Sequence, residues 1–244
     1  MTDLYIGNRK IKEVRLGNEI VPLIYKGSQL IYSKYNENQV LFENSTAGTY
    51  NLDILIDGIY EVYVIGGGSG SLWTNISVST GQSHLAVRTY ITGASGGGFI
   101  GTVRLEKGQY SILVGGGSIG NDNTRGYKVA DAGTSAIINL NNDNMNIYAN
   151  GGSGGTNASK AHINGDNNGI VGIGGSVSLN NIPITTILNQ RGNNGVMYKL
   201  GSAYPNYPQT AVYQTYGKGG NIVGGYKQDG YNGYVKIIYK GLGD

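Results

Sequence analysis

Short runs of glycine set between strongly apolar, β-forming segments constrain this chain more than any other feature. GGGSG begins at Gly66, GASGGG at Gly93, GGGSIG at Gly115, GGSGG at Gly151, GIVGIGG at Gly169 and GKGGNIVGG at Gly217. Gly/Ser tracts between domains behave as flexible coils. Here three of the runs adjoin apolar strands directly, and a domain with that many slack loops around one core would not pack. The physical alternative is a set of extended threefold helices lying side by side, as in collagen, where only glycine fits the crowded contact. Helices without side chains can also exchange backbone hydrogen bonds, which satisfies amides otherwise buried unpaired. Gly66, Gly67, Gly68, Gly96, Gly97, Gly98, Gly115, Gly116, Gly117, Gly151 and Gly152 are the glycines expected at such contacts. Valine at Gly67 or Gly116 should therefore damage the fold far more than valine at Gly126.

The segments between the runs read as strands. YNLDILID at 50–57, YEVYVI at 60–65, FIGTVRL at 99–105, QYSILV at 109–114, SAIINL at 135–140, NIYA at 146–149 and GYVKIIY at 233–239 are β-branched, aromatic or alternating. No window sustains helical apolar spacing with caps, so the expected class is all-β: a sandwich with almost no α-helix. The 244 residues include 43 Gly but only 4 Pro, and 39% are hydrophobic, which excludes both a Gly-X-Y collagen and a disordered chain. A net charge of +3 is too small and scattered for nucleic-acid binding. With no Cys, disulfides, thiolate metal sites and cysteine nucleophiles are out. No apolar run reaches the length of a membrane span or of a signal peptide, so neither membrane insertion nor Sec-type export is expected.

The first 35 residues form a separate pattern. GNRKIKEVRL from Gly7, GNEIVPLIYK from Gly17 and GSQLIYSKY from Gly27 repeat every ten residues. Each opens on a Gly-Asn or Gly-Ser turn signal followed by β-favouring residues, which predicts short hairpinned strands, with Pro22 at an edge or bulge. About thirty residues of this kind bury little core of their own, so residues 1–35 are expected to be a docking module for a glycine-rich domain at 36–244.

These residues carry a resemblance. The repeated openings resemble those of tail-associated and fibre proteins of bacteriophages. The run from YEVYVIGGGSG through GGGFIGTVRLEKGQYSILVGGGS to GYNGYVKIIY resembles the glycine-rich domain of phage adhesins and fibre tips. A related domain occurs in some receptor tyrosine kinases, whose ectodomains carry disulfides that this chain lacks. The resemblance implies a polyglycine II-type β domain in a virion, assembled in the bacterial cytoplasm. It also implies a homotrimer, attachment to other phage structural proteins through 1–35, and binding to a bacterial surface glycan or outer-surface protein.

Apparent catalytic motifs have simpler explanations. Gly115, Gly117 and Gly120 match a dinucleotide-binding fingerprint, but NDNTRGYK after them has no helical face to receive a pyrophosphate. The G-x-S-x-G matches at Ser118 and Ser153 lack the strand-to-helix elbow and a histidine partner. Asp53, Asp57, Asp122, Asp131, Asp143, Asp166 and Asp229 stand mostly beside Asn or Gly, where turn chemistry accounts for them. No catalytic residue, metal or cofactor is assigned.

Recognition is expected on the loops joining the glycine helices. The segment 71–92 carries Trp73, His84, Arg88 and Tyr90, and 196–216 carries Tyr198, Tyr204, Tyr207, Tyr213 and Tyr216. Tyr and Trp give large contact area at low rotamer cost, and 20 Tyr against 2 Phe favours half-wet sites. The resulting expectation is a tail-fibre or tail-tip adhesin. The alternatives are a head fibre or decoration protein and, in a different class, a surface-glycan depolymerase using a carboxylate pair.

Overall fold

The computed structural model describes residues 5–6, 9–10, 13–79, 84–122, 128–142, 145–156, 171–180, 183–200, 209–223 and 226–243. Among these, every helix or strand is a strand, so the chain is all-β. The ten-residue repeat folds as one hairpin per unit: β1 (Tyr5–Ile6) with β2 (Arg9–Lys10), β3 (Arg15–Leu16) with β4 (Glu19–Ile20), and β5 (Leu23–Lys26) with β6 (Gln29–Ser33). Gly17 and Gly27 open the second and third turns with φ of +64° and +61°, a geometry that favours glycine at the first position of a type II′ hairpin.

The remaining strands, in chain order, are β7 (Gln39–Asn44), β8 (Gly48–Ile54), β9 (Gly58–Ile65), β10 (Leu72–Ser79), β11 (His84–Ile91), β12 (Gly98–Leu105), β13 (Gly108–Val114) and β14 (Asn121–Asp122). Then come β15 (Ser135–Asn139), β16 (Asn146–Ala149), β17 (Val177–Leu179), β18 (Thr185–Gln190), β19 (Met197–Leu200), β20 (Ile222–Val223), β21 (Tyr226–Lys227) and β22 (Tyr234–Gly241). Two five-stranded antiparallel sheets form a sandwich, one in the order β18, β12, β9, β22, β7 and the other in the order β17, β16, β15, β13, β8. Alternation sends Tyr60, Val62, Val64, Phe99, Val103, Val235 and Ile237 of the first sheet against Tyr110, Ile112, Val114, Ile137 and Ile147 of the second. Burying each such side chain contributes about 1.5–3 kcal/mol.

Tyrosine serves this core in a way that its abundance alone did not suggest. The hydroxyls of Tyr50, Tyr60 and Tyr110 donate to the carbonyls four residues earlier, Thr46, Ile56 and Glu106, at 2.8, 2.6 and 2.9 Å. Each ring fills apolar space while its hydroxyl pins the turn before its strand, a task phenylalanine cannot perform.

At one end of the sandwich the strands continue as extended glycine-rich segments. Residues 66–71, 115–120, 150–155 and 191–196 run outward from β9, β13, β16 and β18, and residues 217–221 also run outward. Residues 92–97, 129–134, 171–176 and 228–233 return to β12, β15, β17 and β22, and 209–212 also return. Hydrogen bonds between segments repeat every third residue. Gly66 and Ser69 donate to Gly97 and Ala94, while Gly68 and Ser71 donate to Tyr231 and Gln228, and Gly67 between them donates to Gly133. On the next segment Thr92 and Ser95 donate to Val196 and Asn193, and Gly93 and Gly96 donate to Gly220 and Gly217. This is the lattice of threefold helices that the glycine runs imply.

Most of the assigned glycines face neighbouring backbone so closely that a Cβ would overlap it. The atoms met are Asn150 O at Gly66, Gly116 O at Gly67, Lys218 O at Gly68, Gly66 O at Gly96 and Gly175 O at Gly97. They are Gly133 O at Gly115, Gly230 O at Gly117, Ala132 O at Gly151 and Ala94 O at Gly152. Two positions differ. At Gly98 a Cβ would meet the Val212, Ile65 and Leu188 side chains, because this residue already belongs to β12. Gly116, expected to be intolerant, would meet only Ala47 Cβ at 3.4 Å, since that side of its segment lies at the rim of the lattice.

Rim segments lack a neighbour on one side, and short polar side chains replace it. Asn232, Asp229, Asp131 and Asn194 accept from the amides of Gly117, Gly120, Gly154 and Gly174 at 2.8–2.9 Å. Asp131 and Asp229, read above as turn residues, are thus lattice acceptors. Ser118 Oγ accepts from Gly70 at 3.0 Å and Ser153 Oγ from Ile173 at 2.7 Å, which gives both G-x-S-x-G serines a structural task.

Candidate functional site: the two poles and the tyrosine shelf

The hairpin module and the lattice occupy opposite ends of the sandwich. Tyr35, the last residue of the module, donates its hydroxyl to Asp53 O and accepts from Leu55 N–H, at 3.2 and 3.0 Å. Its ring meets Tyr239 edge-on at 5.4 Å. Leu23 packs on the same core and Tyr32 is buried. These contacts lie where β8 and β22 end and just before β9 starts, whereas the lattice leaves from the end of β9 and the start of β22.

Each outward segment of the lattice is followed by a connection to the next returning one: 72–91, 121–128, 156–170, 197–208 and 222–227. The first is not the loop expected from sequence. β10 and β11 pair along their whole length, from Leu72 opposite Ile91 to Ser79 opposite His84. β19 adds beside β11 and β14 beside β10, giving a four-stranded sheet. Trp73, Tyr90 and Tyr198 stand in one row across three strands, and Arg88 is opposite Asn75 and Leu200. Trp73 stacks on Tyr90 with centroids 6.3 Å apart and planes 18° from parallel. Tyr90 is fully buried, so it has no face to offer a partner, while Trp73 is half-buried. Below the sheet, Leu72 and Ile91 pack with Val129 and Val171. Tyr204 and Tyr207 lie outside the described residues.

Two polar residues knit this pole together. Ser71 donates its amide to Gln228 O, its hydroxyl lies 2.8 Å from Asn221 O and accepts from Gln228 N–H at 2.7 Å, and its carbonyl accepts from Asn121. Gln209 is buried, and its Nε2 donates to Gly93 O and Asn194 O at 2.9 and 2.8 Å, filling a lattice position with an amide side chain. Neither role has a sequence signal, because both partners are far along the chain.

Tyr213 and Tyr216, grouped above with the loop residues, sit at the sandwich end of the lattice instead. They pack with Tyr63, Tyr234, Val212 and Leu188 on the outer face of the first sheet, over Ile65 and Ile100. Tyr234 donates its hydroxyl to Glu43 at 2.7 Å, and Tyr63 to Glu61 at 2.6 Å. Lys236 pairs with Glu43 at 3.1 Å and Lys240 with Glu61 at 3.3 Å. The phenol hydrogen bond, and then the lysine, hold the Glu43 carboxyl below its usual range; the Tyr63 hydrogen bond does the same first for Glu61. The reciprocal effect, with burial, pushes the Tyr63 phenol up to about 12. Tyr63 and Tyr234 were missed as site residues: each occupies one turn of a strand alternation, and their meeting with Tyr213 joins parts of the chain that no local pattern connects.

Among the described residues no cluster of His, Asp or Glu could hold a metal ion, and no helix is long and apolar enough to cross a membrane. No protein-family model matches the chain, and no curated protein matches it.

Proposed function

We propose that this protein is a fibre-tip adhesin of a bacteriophage virion, acting by binding and not by catalysis. The polar architecture carries this reading: hairpins that bury little by themselves stand at one pole, and at the other a hydrogen-bonded glycine lattice carries the sheet of β10, β11, β14 and β19. A lattice whose segments are hydrogen-bonded to their neighbours, or at the rim to side-chain acceptors, holds what it carries at low entropic cost, which favours affinity in a binding surface. The hairpins of 1–35 then dock onto other virion proteins, and a trimer multiplies weak contacts to the bacterial surface by avidity. Trp73 supplies aromatic contact area at the distal pole, and Tyr204 and Tyr207 are the further aromatic candidates from the sequence.

Antibodies against the purified protein test this by electron microscopy of intact particles. Labelling at the tail end, with blocked adsorption to host cells, is the expected result. Labelling of the head would assign a head fibre or decoration protein, and absence from particles would end the virion reading. Release of reducing sugar from host envelopes by the purified protein would replace binding with depolymerase activity.

A further inference from the structure

Resting on the adhesin reading, we propose that Tyr213 and Tyr216 form a shelf that binds a neutral pyranose, a second receptor contact at the junction of lattice and sandwich. Tyr216 lies flat on Tyr234, with centroids 4.3 Å apart and planes 9° from parallel. Tyr213 is nearly parallel to both, at 6.3 Å and 19° from Tyr216 and at 6.2 Å and 26° from Tyr234. Tyr234 is 5% exposed and forms the floor, while Tyr213 and Tyr216 are half-buried and face solvent.

The turn that presents the two rings is rigid. Tyr216 N–H donates to Tyr213 O at 3.1 Å, and Gly217 N–H to Asn232 O at 2.7 Å. Gln214 between the rings has φ +49°, a left-handed geometry that a non-glycine residue keeps only when its surroundings enforce it. Fixed, near-parallel rings lose little freedom on binding, and their electron-rich faces suit the C–H face of a sugar ring.

The charges beside the shelf select for neutrality. Glu43 and Glu61 are each satisfied by a lysine and a tyrosine hydroxyl, so neither carboxylate presents an uncompensated charge to the rings. Tyr213 Oη accepts from Gln214 Nε2 at 3.1 Å and keeps its own hydrogen for a sugar oxygen. A hydroxylated, uncharged ring matches this set of groups.

Affinity electrophoresis through gels containing dextran, mannan or galactan, with polygalacturonate as the charged comparison, tests the shelf. Retardation by at least one neutral polymer and less by polygalacturonate is expected. Tyr213→Ala with Tyr216→Ala should weaken the interaction about tenfold or more, the effect of losing a stacked aromatic contact. Tyr213→Phe keeps the ring packing and should weaken it several-fold, which decides the matter if the double variant melts early. Retardation by no neutral polymer, preference for polygalacturonate, or wild-type binding by Tyr213→Phe overturns the shelf. Cell adsorption separates the two readings: a protein that binds cells but no neutral polymer loses the shelf and keeps the adhesin assignment. One that binds the polymer but no cell loses the adhesin assignment.

Discussion

At Gly68 the nearest atom to an added Cβ is the Lys218 carbonyl oxygen, and the next is the carbon of the same carbonyl. Backbone on both sides cannot rotate away as a flexible side chain would, so even alanine must push two lattice segments apart. Overpacking of this kind costs about 1–3 kcal/mol and sometimes more. Gly116 provides the internal comparison, because the same methyl group there finds only Ala47 at ordinary contact distance. In urea denaturation, Gly68→Ala should lower the unfolding free energy by about 3 kcal/mol, and Gly116→Ala by about 0.5 kcal/mol or less. Equal losses at the two positions would mean that chain stiffness, and not lattice contact, decides where glycine is needed.

At the scale of elements, the outer face of the first sheet carries a ladder that pH should control. Glu43 and Glu61 have lowered pKa values in the folded state, each first through a tyrosine hydroxyl and then through a lysine. A carboxyl with a depressed folded pKa stabilises the protein above its unfolded pKa, about 4.3, and loses that contribution as pH falls through the folded value. The melting temperature should hold from about pH 7 to 5 and fall below about pH 4.3, and Glu43→Gln with Glu61→Gln should flatten the fall. An unchanged acid limb in the double variant would place the sensitivity elsewhere.

The hairpins give a second test at this scale. Among the described residues, none before Leu23 belongs to the core, so deleting residues 1–21 should leave the melting temperature within a few degrees. Deleting through residue 34 also removes Leu23 and Tyr32 from their packing, yet leaves Tyr35 and the sandwich. That protein should still melt cooperatively, at a lower temperature. A non-cooperative transition would make the third hairpin part of the folding unit.

Elements also show what was legible in sequence. β9, β12, β13 and β22 could be read directly because apolar residues alternate within one short window, and the lattice could be read because its glycines adjoin those strands. β10 and β11 could not: Thr74, Asn75, Ser77 and Ser79 dilute the apolar period, and the strands are specified by pairing across the hairpin and with β14 and β19. The 209–212 segment was invisible for a related reason, since Gln209 stands where a glycine would have signalled a lattice position. Of the expected site residues, Tyr90 became core, while Tyr213 and Tyr216 moved to the sandwich end.

For the whole molecule, the proposed adhesin needs a lattice rigid enough to hold its two ends in a fixed relation. In a slack Gly/Ser region amides exchange with solvent almost at once, whereas hydrogen-bonded, buried amides exchange only on opening. Native-state hydrogen exchange resolved to single residues measures this directly. The amides of Gly66, Gly67, Gly68, Gly93, Gly96 and Gly97 should be protected to the same degree as Val62 and Val64 of β9, exchanging only with global unfolding. Exchange of these glycines within seconds, while β9 stays protected, would show that the glycine segments are slack loops and not a lattice.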